Sequence, residues 1–208
     1  MLRALAILVL AALPVSAVTV DRIAAIVDQQ VLTVSEVTQM VELRFFPRAA
    51  KSDDDYRRDV LDALIAQALR YRDVERFGAQ DISADTIEAR LVEIQRRFAS
   101  IEEFNAALAR AELTLDELRA LVKRQLQVEA YIKERFAPLV FISNDDIDAY
   151  YRGPWATQRR ERGLPIPALA QVREEVRAAV QSSRLQEEIE KWTTQLRARA
   201  NVDIYAWR

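Results

Sequence analysis

Asp21-Arg22-Ile23-Ala24-Ala25-Ile26-Val27 near the start and Ala200-Asn201-Val202-Asp203-Ile204-Tyr205 near the end are two short β-type runs at opposite ends of an otherwise helical chain. A strand this short leaves its backbone donors and acceptors unpaired when it stands alone. The economical solution is for head and tail to hydrogen-bond to each other. The head continues through a polar turn into Val31-Leu32-Thr33-Val34, a second strand that completes a hairpin. The expected fold is therefore mainly α, a multi-helix core with a small sheet that pairs the N-terminal hairpin strands with the C-terminal strand.

Composition agrees with that class. The 208 residues contain only 3 Gly and 6 Pro among abundant Ala, Leu, Arg and Glu, the usage of a helical protein with one good core. Lys and Arg number 30 against 32 Asp and Glu, a net charge of -2 that offers no phosphate-neutralising surface for nucleic acid. There is no Cys, so disulfides, thiolate nucleophiles and thiolate metal sites are excluded. There is no His either, which excludes a Ser-His-Asp triad, a His base and imidazole ligation. No cofactor, no metal and no catalytic residue are expected.

The first residues read as a secretory leader. Arg3 is a positive start, Ala4 to Leu13 is apolar but short for a bilayer span, and Val15-Ser16-Ala17 places small residues at alternate positions. Residues 1–17 are thus the expected signal peptide, with Val18 as the mature start. An uncleaved anchor is the alternative; Pro14 and the small residues end the apolar run where cleavage sites fall.

Helix starts are announced by caps. Thr33 and Glu36, Ser100 and Glu103, and Thr114 and Glu117 fit the capping box, and Ser52, Ser83 and Ser143 fit simple N-caps with acids in the first turn. These place helices near 35–46, 53–77, 84–98, 101–111, 115–136, 144–152 and 167–198, with Gly78 closing the second. Helical periodicity predicts three core stripes: Val60, Leu61, Leu64, Ile65, Ala68 and Leu69; Ile87, Leu91, Ile94 and Phe98; and Leu118, Val122 and Leu126. In the last helix Leu169, Val172, Val176 and Val180 give way, after a phase slip, to Leu185, Ile189, Trp192 and Leu196. One long helix is expected to touch two different surfaces.

The runs Val20-Asp21-Arg22-Ile23-Ala24-Ala25-Ile26-Val27-Asp28 with Val31-Leu32-Thr33-Val34-Ser35-Glu36-Val37, and Trp192 through Leu196-Arg197-Ala198-Arg199-Ala200-Asn201-Val202-Asp203-Ile204, together resemble the SurA family of periplasmic chaperones. The resemblance covers roughly residues 18–45 and 166–205, and it lies in both ends matching in order. It implies that an N-terminal helical module, 18–152, and a C-terminal helix and strand, 167–208, form one chaperone core. Parvulin-type prolyl isomerase domains are usually inserted between these parts in that family. Here residues 153–166 stand in their place, a linker too short for a domain of roughly a hundred residues. The resemblance thus implies a periplasmic protein without the isomerase domain, and not an enzyme.

Charged clusters favour solvated structure over chemistry. Asp53-Asp54-Asp55 and Asp145-Asp146 with Asp148 lack the alternating ligands and central Gly of a calcium loop and sit where first helical turns welcome acids. Arg159-Arg160 with Arg162 has no helix N-terminus or glycine nest beside it in sequence.

What remains is binding. The expected function is an ATP-independent holdase for unfolded, aromatic-rich segments of outer-membrane proteins, held by an apolar cradle rimmed with charge, where polar helix faces carrying Arg96-Arg97 and Glu102-Glu103 keep the cradle soluble and steer clients of either sign. Met40, Leu43, Phe45 and Phe46 at the end of the first helix, and Phe98, Phe104 and Leu108 around the third and fourth, are the candidate peptide-binding residues. Aromatics at helical spacing are also ordinary core, so each carries both readings. The alternatives are a prolyl cis/trans isomerase and a scaffold docking a dedicated envelope partner. Trp207 after the tail strand fits either its own chain or a second copy, which leaves a strand-swapped homodimer open.

Overall fold

A computed structural model describes residues 21–48 and 52–205. The expected leader, the mature start at Val18 and Trp207 lie outside these residues. β1 (Ile23–Val27), β2 (Gln30–Thr33) and β3 (Val202–Ile204) form an antiparallel sheet in the order β2-β1-β3. Head and tail meet in register, with Ala25 opposite Ile204, Ile26 opposite Asp203 and Val27 opposite Val202. The hairpin turns at Asp28, which takes the left-handed φ of 54° that Asp tolerates better than most residues.

Asp28 also clamps the tail. Its backbone N–H donates to the Asn201 carbonyl at 2.7 Å, its Oδ1 accepts the Asn201 N–H at 2.8 Å, and Arg72 pairs with its Oδ2. The Asn201 amide first, and Arg72 after it, hold the Asp28 carboxyl below its ordinary value of 3.8. A carboxylate lowered by folding contributes stability that is complete above the ordinary value and is lost as pH falls through the lowered one. Asp28→Asn keeps the turn conformation and removes the charge. The stability gap between wild type and Asp28→Asn in urea unfolding is expected to be widest near neutrality and to close below pH 3.8; a gap independent of pH would contradict this clamp.

The helices are α1 (Val34–Glu42), α2 (Asp53–Phe77), α3 (Ala84–Gln95), α4 (Ile101–Arg110), α5 (Leu115–Arg135), α6 (Asn144–Tyr150), α7 (Ala156–Glu161) and α8 (Leu169–Arg199). Thr33 with Glu36 and Thr114 with Glu117 form complete capping boxes, and Ser143 forms a third with Asp146. Ser100 caps the Glu103 amide, but the Glu103 carboxylate accepts from Ala99 instead of returning to Ser100, so that box is displaced by one residue.

Two predicted boundaries move for an identifiable reason. α1 ends at Glu42, short of residue 46, because Phe45 N–H bonds the Met40 carbonyl and Arg44 N–H bonds the Val41 carbonyl. This is a Schellman closure with Arg44 at φ 49° in the position Gly usually takes. At the other end of the chain, helix continues past 152 through a π-turn, Tyr151–Trp155, into α7. Pro154 lies inside that turn and has no N–H to give, which favours the wider spacing. Only residues 162–166 of the expected linker are without helix.

The core is graded along α8. The sheet and α1 to α5 enclose the main cluster, which contains every residue of the three predicted stripes except Ala68, itself buried, with Leu64 and Ile87 only partly buried. Val74, Val128, Phe136 and Trp192 form a second cluster with Leu185 and Leu196 against it. Ile147, Trp155, Val176 and Val180 form a third with Leu169 and Val172. The phase slip in α8 is therefore real in three dimensions: its first half packs on α6 and the π-turn, its second half on α2 and α5.

Candidate functional site

The Schellman closure after α1 dictates what the next residues do. It turns Leu43 and Phe45 into the core, where they are 0% and 5% exposed, and leaves Arg44, Pro47 and Arg48 at the surface with Phe46 half-buried. Phe45 and Phe46 meet edge to face at 5.3 Å. The segment is then pinned to two neighbours. Tyr56, in the first turn of α2, donates its hydroxyl to the Phe46 carbonyl at 2.9 Å. Arg97, just past α3, donates to the carbonyls of Arg44 and Phe45 at 2.6 and 2.8 Å, and Arg44 returns a bond to the Arg97 carbonyl at 2.5 Å.

Between these pieces lies an open groove of about 460 Å³, walled by Val41, Phe46, Pro47 and Tyr56 and edged by Arg44, Arg48 and Arg97. The arginines are laid on aromatic faces: Arg44 stands 4.6 Å from the centre of the Phe98 ring and Arg48 5.2 Å from that of Tyr56. Phe98 in turn packs edge-on against Phe104 at 5.6 Å. Burial raises the Tyr56 phenol above its ordinary value, with the charges of Arg48 and Arg97 pulling the other way, so it stays a neutral donor. Glu103 is held charged by the Ala99 amide and then by Arg44, with which it pairs at 2.8 Å. Nothing in this groove is a nucleophile or a general base. It offers an apolar floor, aromatic edges and guanidinium groups, which is binding chemistry.

Comparison with known proteins gives a consistent result. No family model matches the chain. The chain is 29% identical over 132 residues to the Chaperone SurA of Pseudomonas putida, an alignment covering 61% of this chain and 31% of that protein. It is 27% identical over 152 residues to the Chaperone SurA of Chromobacterium violaceum, covering 70% and 35%, and 25% identical over 166 residues to that of Bordetella avium, covering 77% and 32%. The chain is SurA-like. It spans about a third of the length of these relatives.

In this SurA-like chain the seven candidate residues fall into two groups. Phe46 lines the groove. Met40, Leu43, Phe45, Phe98, Phe104 and Leu108 are all buried, with Phe104 1% exposed at the centre of the main cluster. They form the support on which the groove rests. Sequence reading passed over Val41, Arg44, Pro47, Arg48 and Tyr56. One local signal pointed to part of this set: Arg44 and Arg48 bracket Phe45-Phe46-Pro47, an aromatic pair between two cations. Arg97 belongs to the expected charged rim, but its place against the turn after α1 had no local signal, because it reaches the site from 53 residues away.

The acid clusters do the structural work expected of them. Asp54 and Asp55 pair with Arg57 and Arg58 one turn along α2, and Asp53 pairs with Arg48. No helix among the described residues is long and apolar enough to cross a membrane.

Proposed function

We propose that this chain is a periplasmic chaperone module that holds unfolded polypeptide segments by binding alone, without ATP and without a catalytic group. Its clients on this reading are aromatic-rich segments of outer-membrane proteins. Residues 18–152 and 167–208 act as one body, joined head to tail through the sheet. The observation that carries the proposal is the groove at Phe46, an open apolar trough between aromatic and guanidinium edges on a SurA-like chain. An extended segment enters such a trough by placing one large side chain beside Phe46 and its neighbours over the arginines. Covering one aromatic is worth about 1.5–3 kcal/mol before ordering costs, so each capture is weak and reversible, and affinity accrues over several contacts.

The test is light scattering of a denatured outer-membrane client diluted into buffer with the protein. Aggregation is expected to be suppressed near stoichiometric protein. Phe46→Ala, which opens the floor of the groove, is expected to raise the concentration needed by about five-fold, as loss of roughly 1 kcal/mol requires. Unchanged scattering over a wide protein concentration range would overturn the reading.

A further inference from the structure

We infer that the groove beside Phe46 selects polypeptide segments that carry a carboxylate next to an aromatic side chain. The inference rests on the reading of the groove as a polypeptide-holding site and adds the charge of what it holds. Every charged residue that lines the groove is an arginine, and no carboxylate is among its lining residues. This is not a consequence of overall basicity, because the chain as a whole carries a net charge of -2.

The guanidinium groups are also set up to accept an anion. Arg44 and Arg48 each hold an aromatic ring under the guanidinium, at 4.6 and 5.2 Å. Stacking on a ring face turns the in-plane N–H edge of a guanidinium toward carboxylates and carbonyls, and both arginines use it so: Arg44 on the Arg97 carbonyl and Glu103, Arg48 on Asp53. Arg97 is fastened by bonds to two backbone carbonyls, which position it and leave its full charge in place. The acids that reach the rim, Glu103 on Arg44 and Asp53 on Arg48, belong to exposed pairs, with Asp53's side chain 78% exposed. Exposed pairs are weak in water, so an incoming carboxylate exchanges with them at little cost. A segment with an aromatic on Phe46 and an acid beside it satisfies the floor and the edge together; a lysine in the same place meets three guanidinium groups, two of them offset only by exposed acids.

The test is fluorescence anisotropy on the full chain with labelled peptides that share one central Phe flanked by Glu, by Ser or by Lys. The Glu peptide is expected to bind roughly five-fold more tightly than the Ser peptide and the Lys peptide more weakly than either, with the differences shrinking as salt is added. The same ranking should flatten in Arg97→Gln and in Arg48→Gln, each checked for folding by circular dichroism. Arg48→Gln removes a surface charge without touching the Arg97 carbonyl bonds, so the pair separates charge from support. A ranking that survives in both variants overturns the assignment to this groove. Equal binding of the three peptides, with client aggregation still suppressed, overturns charge selection and leaves the holdase reading standing. Binding of none, with aggregation unsuppressed, overturns both.

Discussion

Protein truncated after Ala200 is expected to lose about 4–6 kcal/mol of unfolding free energy, most of the margin of a typical domain. The loss has three sources. The strand takes with it the bond from Asp28 N–H to the Asn201 carbonyl, the bond from Asn201 N–H to Asp28 Oδ1 and the bond from Tyr205 N–H to the Ala24 carbonyl, besides the β1–β3 ladder. Each contributes about 1 kcal/mol net. Val202 uncovers the apolar surface it packs against in the main cluster. The heaviest source is what remains behind: Ala24, Ala25 and Val27 are buried, and the outer backbone groups of β1 lose their partners beside them.

Urea unfolding followed by far-UV circular dichroism reads the change directly. A loss below 1 kcal/mol would mean that β1 and β2 stand without the tail. The truncated protein should also aggregate more readily, because β1 becomes an open apolar edge.

That the sheet was legible follows from its physics. The head forms its own hairpin with the run at Val31, and the tail, too short to stand alone, has only the free edge of that hairpin to pair with. Caps were legible for the same kind of reason, since a Thr or Ser bonding the amide three residues on, as at Thr33, Thr114 and Ser143, is a local event. The stripes on α2, α3 and α5 followed from periodicity, and so did the change of partner along α8.

What escaped is equally physical. The end of α1 rests on Arg44 at φ 49°, where only tertiary support keeps an ordinary side chain in a glycine's conformation. Arg44 has that support in the Arg97 carbonyl and Glu103. The π-turn at Tyr151–Trp155 hides behind Pro154, a residue that more often ends a helix than widens one. The groove was half legible. Phe46 was identified as an aromatic without a stripe to claim it, whereas its arginine edge exists only because the turn after α1 meets the turn after α3.

Trp192→Ala is expected to cost about 3–5 kcal/mol, the range for emptying an aromatic site in a packed interior. Trp192 is 7% exposed, lies 5.6 Å from Tyr131 and 5.2 Å from Phe136, and donates its indole N–H to Asp73 at 3.1 Å. Trp192→Phe keeps the ring contacts and loses that bond, so it should cost less than half as much. Trp192 also holds the half of α8 that leads directly into β3, beside Thr193, whose hydroxyl accepts from Arg70 at 2.8 Å. Docking of α8 and closure of the sheet therefore share one segment of chain. Once Trp192 is gone, the tail strand is held less firmly, and removing it costs less. The combined variant, Trp192→Ala truncated after Ala200, should lose at least 1 kcal/mol less than the two separate losses added, the signature of sites that act through each other. Strict additivity in urea unfolding would mean that the sheet closes without help from α8.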